Sequence, residues 1–442
     1  MNIRSRTLLR RAAPPAAAIA VAGALTAFAT LVPFSSPTSS PGASPPTAPP
    51  AGIAYERAAG SAADLDRTVT ALQTRLTRLP KDHQAWATLG TAYVEQARLT
   101  ADPAYYPKAE QALATSLRLS PGNAAGLTGQ AALAAGRHEF AQAVRLARSA
   151  TSANPYGPAG YGVLADAYTQ LGRLADADRA IDRMMRLRPG VASFSRASYA
   201  AELRGDLGRA EELLRSALAD AFYPADVAYC RHRLGELALR AGDLRTADEE
   251  YDRALAAYPT YLPAVVGKAR AAALAGRLDT AAELYRTAVD RLPLPQHVIE
   301  YAEVRVASGQ DPAEQWRLLR AVRDLSSAAG VRDDVMWAEY EADHGDPALA
   351  VRHARTEYAR NPNLAAADAL AWALFRAGRP REALPFAREA LATGRRDALA
   401  AHHRAEIEKA LGMDAEARRS RALVREFNPA FDPALPALGR PS

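Results

Sequence analysis

Two 34-residue units stand in tandem over Ala228–Pro295, and this repetition constrains the chain more than any other feature. Ala228–Tyr261 and Leu262–Pro295 share a glycine (Gly242, Gly276), then an alanine five residues later (Ala247, Ala281). A tyrosine follows nine after the glycine (Tyr251, Tyr285), an alanine twelve after it (Ala254, Ala288) and a proline seventeen after it (Pro259, Pro293). A fixed period of this length predicts a stacked array of like supersecondary units. Each unit reads as a helical hairpin. Leu234, Leu237 and Ala238 keep 3.6-residue spacing on one face, and Ala247, Tyr251 and Ala254 do so on the second helix. The glycine ends the first helix, because a left-handed residue there costs least without a Cβ. The proline ends the second. Small residues seven before the glycine (Gly235, Ala269) and five after it let the paired helices approach closely. A lone hairpin buries one face only, while ordering its backbone costs roughly 34–68 kcal/mol. The units must therefore stack, with stability expected as a sum over neighbours.

These recurring positions resemble the tetratricopeptide repeat (TPR) family, over about Gln84–Pro429. The resemblance implies an all-α, right-handed solenoid of about ten helical hairpins, with the first helices lining a concave surface. A ladder of glycines marks the turns: Gly136, Gly172, Gly205, Gly242, Gly276, Gly309, Gly345, Gly378 and Gly412. Three places depart from the pattern. The first unit carries an insertion, Leu99–Lys108. The Gly309 unit has Glu314 in place of the small alanine, which fits a register shift, a longer second helix or a kink. The Gly378 unit closes on Gly394 instead of proline.

Outside the array the chain divides further. Residues 1–32 read as a signal peptide or an uncleaved membrane anchor: Arg4, Arg6, Arg10 and Arg11 precede an uncharged apolar run, and Ala27-Phe28-Ala29 offers a cleavage site. Either way the repeats are expected to be exported. Residues 33–55 are rich in Pro, Ser and Thr and read as a disordered linker. Residues 56–80 read as a capping helix, 81–429 as the solenoid and 430–442 as a proline-rich tail. The net charge of +6 falls to +2 without the four N-terminal arginines, which is a weak argument for nucleic acid. The single cysteine, Cys230, allows no intrachain disulfide.

No phosphate loop, dinucleotide-binding glycine pattern, HExxH or GxSxG occurs, so no catalytic residue, metal or cofactor is expected. The best polar cluster is His402-His403 with Glu406; His402 and Glu406 lie one helical turn apart, a spacing that can share a metal, but two or three ligands without a convergent partner read first as polar residues on an exposed helix face. The resemblance places the inner positions of the first helices at Tyr199, His232, Glu236, Arg240, Arg270, Glu303, Glu339, Trp372, Phe375, Arg376, His402 and Glu406, as exposed groove residues for a protein or extended-peptide partner. Trp372, Phe375 and Arg376 are the types that anchor interfaces; packing between neighbouring repeats is the other reading of the two aromatics. Chaperone-binding members of the family grip a peptide carboxylate with Lys and Asn. The corresponding places here hold Ser195, His232, Val266 and Asp368, so that clamp is absent. The expected function is a non-catalytic scaffold outside the cytoplasmic membrane. The alternatives are an envelope receptor for a small molecule or glycan, or an accessory enzyme subunit.

Overall fold

The computed structural model describes residues 62–100, 102–328 and 331–440; the expected signal or anchor and the linker lie outside them. The described residues form helices and no strand. Helix α1 (Ala62–Arg78) leads the array, and ten antiparallel pairs follow. They are α2 (His83–Thr100) with α3 (Tyr105–Leu119), α4 (Ala124–Gly136) with α5 (Phe140–Ala153), and α6 (Pro158–Gln170) with α7 (Leu174–Leu187). Next come α8 (Val191–Glu202) with α9 (Leu207–Ala219), α10 (Pro224–Arg240) with α11 (Leu244–Ala257), and α12 (Leu262–Leu274) with α13 (Leu278–Arg291). The last four are α14 (Pro295–Ala307) with α15 (Ala313–Ala328), α16 (Asp334–His344) with α17 (Pro347–Arg360), α18 (Leu364–Arg376) with α19 (Pro380–Glu389), and α20 (Ala398–Ala410) with α21 (Asp414–Phe427). A short 3-10 turn, Pro436–Gly439, closes the described chain.

Local chemistry accounts for these boundaries. Asp206 and Asp243 cap α9 and α11 by accepting from the Arg209 and Thr246 amides, both at 3.0 Å. Proline occupies the first turn of α6, α10, α12 and α14, where its missing N–H costs nothing. Tyr251 is fully buried between α10 and α12 at Gly235 and Gly267; a Cβ at either glycine would overlap its ring. The small-residue positions thus serve contacts between units as well as within them. In the Gly309 unit the second helix is the longer one, starting at Ala313, and its Leu319 and Val322 fill the core.

The glycine ladder needs one correction. Gly172, Gly205, Gly242, Gly276, Gly309, Gly378 and Gly412 are left-handed, with φ between 68° and 77°, but Gly136 and Gly345 are not. In the second unit α4 runs through Gly136, and His138 takes the left-handed place (φ 62°).

The array coils tightly enough to touch itself. Asn363 Nδ2 donates to the Gln170 carbonyl at 2.8 Å, Thr393 Oγ1 to that of Leu203 at 2.5 Å, and Asn428 Nδ2 to that of Leu239 at 3.3 Å. These pairs lie 193, 190 and 189 residues apart, about five and a half units of 34. The accepting carbonyls lie at the C-terminal ends of α6, α8 and α10, where the intrahelical ladder runs out; that of Leu239 also accepts from the Gly242 amide at 3.0 Å. Turns of the N-terminal half therefore seat on inter-unit loops of the C-terminal half, one superhelical turn later. His138 lies against Arg332, Asp334 and Arg360 in the same way.

Candidate functional site

The first helices of neighbouring pairs touch along much of the array, and there the charged residues pair from one unit to the next. Arg196 (α8) holds Asp166 (α6) through two bonds of 2.8 and 2.7 Å. Glu202 (α8) accepts from Arg233 (α10) at 3.2 Å and also pairs with Arg240. Arg270 (α12) bridges Glu236 (α10) at 3.3 Å and Glu300 (α14) at 2.7 Å, and all three are almost fully buried. Tyr251 adds a 2.7 Å bond from its hydroxyl to Glu236. Burial disfavours the Arg270 charge, but Glu300 and Glu236 outweigh it and raise the guanidinium pKa. Glu303 (α14) meets His344 (α16) at 2.8 Å, and Asp368 (α18) meets His403 (α20) at 3.1 Å.

The segment 430–440 enters this inner space rather than trailing away. Its 3-10 turn packs on α14 and α20. Leu435, Ala437 and Leu438 are buried in one apolar cluster with Val298, Ile299 and Met336. The Ala437 amide donates to Glu303 Oε2 at 2.9 Å. Arg440 pairs with Asp343 and, at 3.0 Å, with Glu339, and the arginine is itself 7 % exposed. Burial pushes the Glu339 carboxyl up to about 7, against the pull of Arg440. Burial likewise raises Glu303, opposed by His344, Arg440 and the Ala437 amide.

Of the residues expected to line an exposed groove, few face open solvent. His232, Glu236, Arg270, Glu303 and Trp372 are buried, while Tyr199, Arg240, Glu339, Phe375, His402 and Glu406 are half-buried. Arg376 alone of the twelve is exposed. Trp372 stacks on His403 (ring centroids 4.0 Å apart) and on Phe375 (5.1 Å), and its Nε1 donates to Asp343 at 2.7 Å. The two aromatics pack between repeats. His403 is committed to Asp368, and Glu406 pairs with Arg421 at 3.3 Å, so the proposed polar cluster is divided among separate partners. Among the described residues no group of three or more His, Cys, Asp or Glu is placed to hold a metal ion. Two cavities flank the 430–440 segment, of ≈ 50 and ≈ 30 Å³. Pockets that enclose a small organic ligand measure roughly 300–1,000 Å³, which counts against a receptor site beside this segment.

Sequence reasoning missed Arg440, Glu300 and the buried leucines of the last segment. A signal was present: Phe431, Leu435 and Leu438 give the proline-rich stretch an apolar content that a solvated tail has no use for.

Ten stacked helical hairpins with a 34-residue period make the chain a TPR-type α-solenoid, here with its inner groove filled by its own chain. The sequence matches no protein-family model and no curated protein. Among solved structures it is similar to TTC0263, a thermophilic TPR protein of Thermus thermophilus. That match is 25 % identical, covers 43 % of this chain and 98 % of that one, and has a TM-score of 0.38. PilW, a widely conserved type IV pilus biogenesis factor, matches at 19 % identity over 46 % of this chain and 92 % of its own, TM-score 0.37. The human IFIT1 dimer with m7Gppp-AAAA matches at 16 % identity over 77 % and 81 %, TM-score 0.46. At these scores none of them transfers a ligand to this chain. Among the described residues no helix is long and apolar enough to cross a membrane.

Proposed function

We propose that the chain is a non-catalytic TPR scaffold, exported to the outer side of the cytoplasmic membrane, that binds an extended segment of a protein partner in its inner groove. One observation carries the reading: the groove holds a short, turn-rich segment of the chain now, residues 430–440, through apolar contacts and carboxylates on the first helices of the pairs. Carboxylates that receive a guanidinium repel phosphate, which favours a peptide over nucleic acid. The basic, then apolar, start of the sequence supports export.

Site-specific photo-crosslinking in the native host tests both parts. A photoreactive residue replaces Arg376, which is exposed beside the groove, or Arg179, which is exposed on the outer helix α7. The expected result is one envelope protein captured from position 376 and not from 179, with the chain in the envelope or extracellular fraction. A chain that stays in the cytosolic fraction, or capture from 179 alone, refutes the reading.

A further inference from the structure

We infer that Glu303, Glu339 and Asp343 form a receptor for an arginine-bearing apolar peptide of a partner protein, and that residues 431–440 occupy this receptor until the partner displaces them. The inference rests on the scaffold reading above and adds the chemistry of what is bound.

The occupant shows what the pocket selects. The segment Phe431–Arg440 reads FDPALPALGR. Its two leucines enter the apolar floor made by Val298, Ile299 and Met336, and Gly439 passes so close to Leu399 that a Cβ would lie 3.1 Å from the Leu399 Cβ. Its one cation meets two carboxylates, and its Ala437 amide meets a third. None of these contacts depends on the covalent link to α21, so a separate peptide of the same chemistry can make all of them. Emptied, the pocket would leave Glu339 and Asp343 without the Arg440 guanidinium, Asp343 keeping only the Trp372 indole and Arg376 at 3.6 Å. A cationic replacement restores the lost pairing and is favoured over a neutral or acidic one.

The segment is also built to leave. Its regular structure is one four-residue 3-10 turn, and both cavities of the groove lie along it, lined by Arg440 on one side and by Leu438, Gly439 and Arg440 on the other. Its docking rests on two leucine side chains, one amide bond and one cation, and segments with little regular hydrogen bonding open locally ahead of the whole fold.

The test uses the full chain and a fluorescent synthetic peptide, FDPALPALGR. Three proteins are compared by anisotropy: the native sequence, a Leu438→Asp/Arg440→Glu variant whose segment cannot dock, and that variant carrying Glu339→Gln and Asp343→Asn as well. Circular dichroism confirms that each is folded. The peptide is expected to bind the undocked variant at least tenfold more tightly than the native chain and to be lost from the third protein. A peptide with glutamate in place of the arginine is expected not to bind. Equal affinity for native and undocked chains, no saturable binding to the undocked chain, or equal binding of the glutamate peptide each overturns the inference. Should the variants not fold, hydrogen exchange on the native chain decides. The Ala437 and Leu438 amides must exchange at least a hundredfold faster than those of Val298 and Ile299. Equal rates mean that the segment leaves only on global unfolding, which also overturns it. Capture of a partner from position 376 together with failure of the peptide keeps the scaffold and removes this ligand chemistry. The reverse pattern keeps the pocket and removes the cellular role.

Discussion

Gly205 and Gly276 separate two roles that the same turn residue can have. Both are left-handed, at φ 77° and 75°, and both end the first helix of a unit. Alanine at either must adopt a conformation that costs an L-residue roughly 1–2 kcal/mol, partly offset by the roughly 0.4–1 kcal/mol gained from a stiffer unfolded chain. At Gly276 nothing lies within 4 Å of the added Cβ, so the expected loss is about 1 kcal/mol. At Gly205 the Cβ would stand 3.0 Å from the Gly394 carbonyl carbon and closer still to its oxygen. The obstacle is backbone and cannot rotate away. The two superhelical turns must part there, taking the Thr393 bond to the Leu203 carbonyl with them. Loss of that part-buried hydrogen bond adds roughly 0.5–1.5 kcal/mol, so Gly205→Ala is expected to cost about 1.5–2.5 kcal/mol in all. Urea titration followed by circular dichroism measures both, and small-angle scattering reads the shape. Gly205→Ala should be the less stable and the more extended, and its unfolding less cooperative, because contacts one turn apart couple units that nearest-neighbour stacking leaves independent. Equal destabilisation of the two variants with superimposable scattering curves would refute inter-turn closure as a source of stability.

Three further outcomes follow from the inner wall and its neighbours. Arg270→Ala leaves Glu236 and Glu300 buried without their shared cation and should cost about 3–5 kcal/mol; denaturant unfolding measures it, and a loss under 1 kcal/mol would contradict the pairing. Burial, opposed by Glu236, pulls His232 from 6.5 down to about 4. Its folded pKa is depressed, so the stability from keeping the ring neutral is present above pH 6.5 and lost as pH falls toward 4, a change of about 3 kcal/mol. The stability gap between the native chain and His232→Gln should shrink by about that amount between pH 7 and pH 4; a constant gap would mean that the ring titrates alike in the folded and unfolded chain. Cys230 is fully buried and its thiol is pushed up to about 12 by burial, with help from Asp226. A thiol reagent at pH 8 should label it only after denaturant is added, and labelling of the native chain within minutes would contradict its burial.

Hairpin boundaries were legible because they are set locally. Gly242 and Gly276, Pro259 and Pro293, and the alanines between them state the same unit twice, and helix ends follow from turn and capping chemistry within a few residues. The longer helix of the Gly309 unit was among the readings left open, and the choice fell to the burial of Leu319 and Val322. Closure of the superhelix was not legible. It depends on the small rotation between successive units summed over about five and a half of them, and no single residue encodes that angle. Asn363, Thr393 and Asn428 are among its local traces, and Asn and Thr in an inter-unit loop also serve as ordinary caps and turns. Gly172, Gly205 and Gly242 meet the opposite half, while Gly276 and Gly309 meet nothing, yet the five occupy equivalent places in the repeat.

The inner wall shows why residue type alone misled about exposure. Glu, Arg and His at the inner positions read as a solvated, ligand-ready surface, because an unpaired charge is seldom buried. Here most of them find a partner about one unit away, so the separation that makes the pair is close to the repeat period: 31 residues from Glu202 to Arg233, 34 from Glu236 to Arg270, 30 from Arg270 to Glu300, 41 from Glu303 to His344 and 35 from Asp368 to His403. A repeat protein can thus hide charge along its own axis, using opposite signs on consecutive copies of one helix face. Such pairs add little net stability over apolar residues of the same size, yet breaking one is costly. They therefore hold adjacent units in one register more than they glue them together. Arg440 departs from this rule. Its acids, Glu339 and Asp343, lie 101 and 97 residues away in sequence, and its position belongs to no repeat. Among these paired charges, Arg440 with Glu339 and Asp343 is the point where a charge supplied from outside the array does what a neighbouring unit does elsewhere.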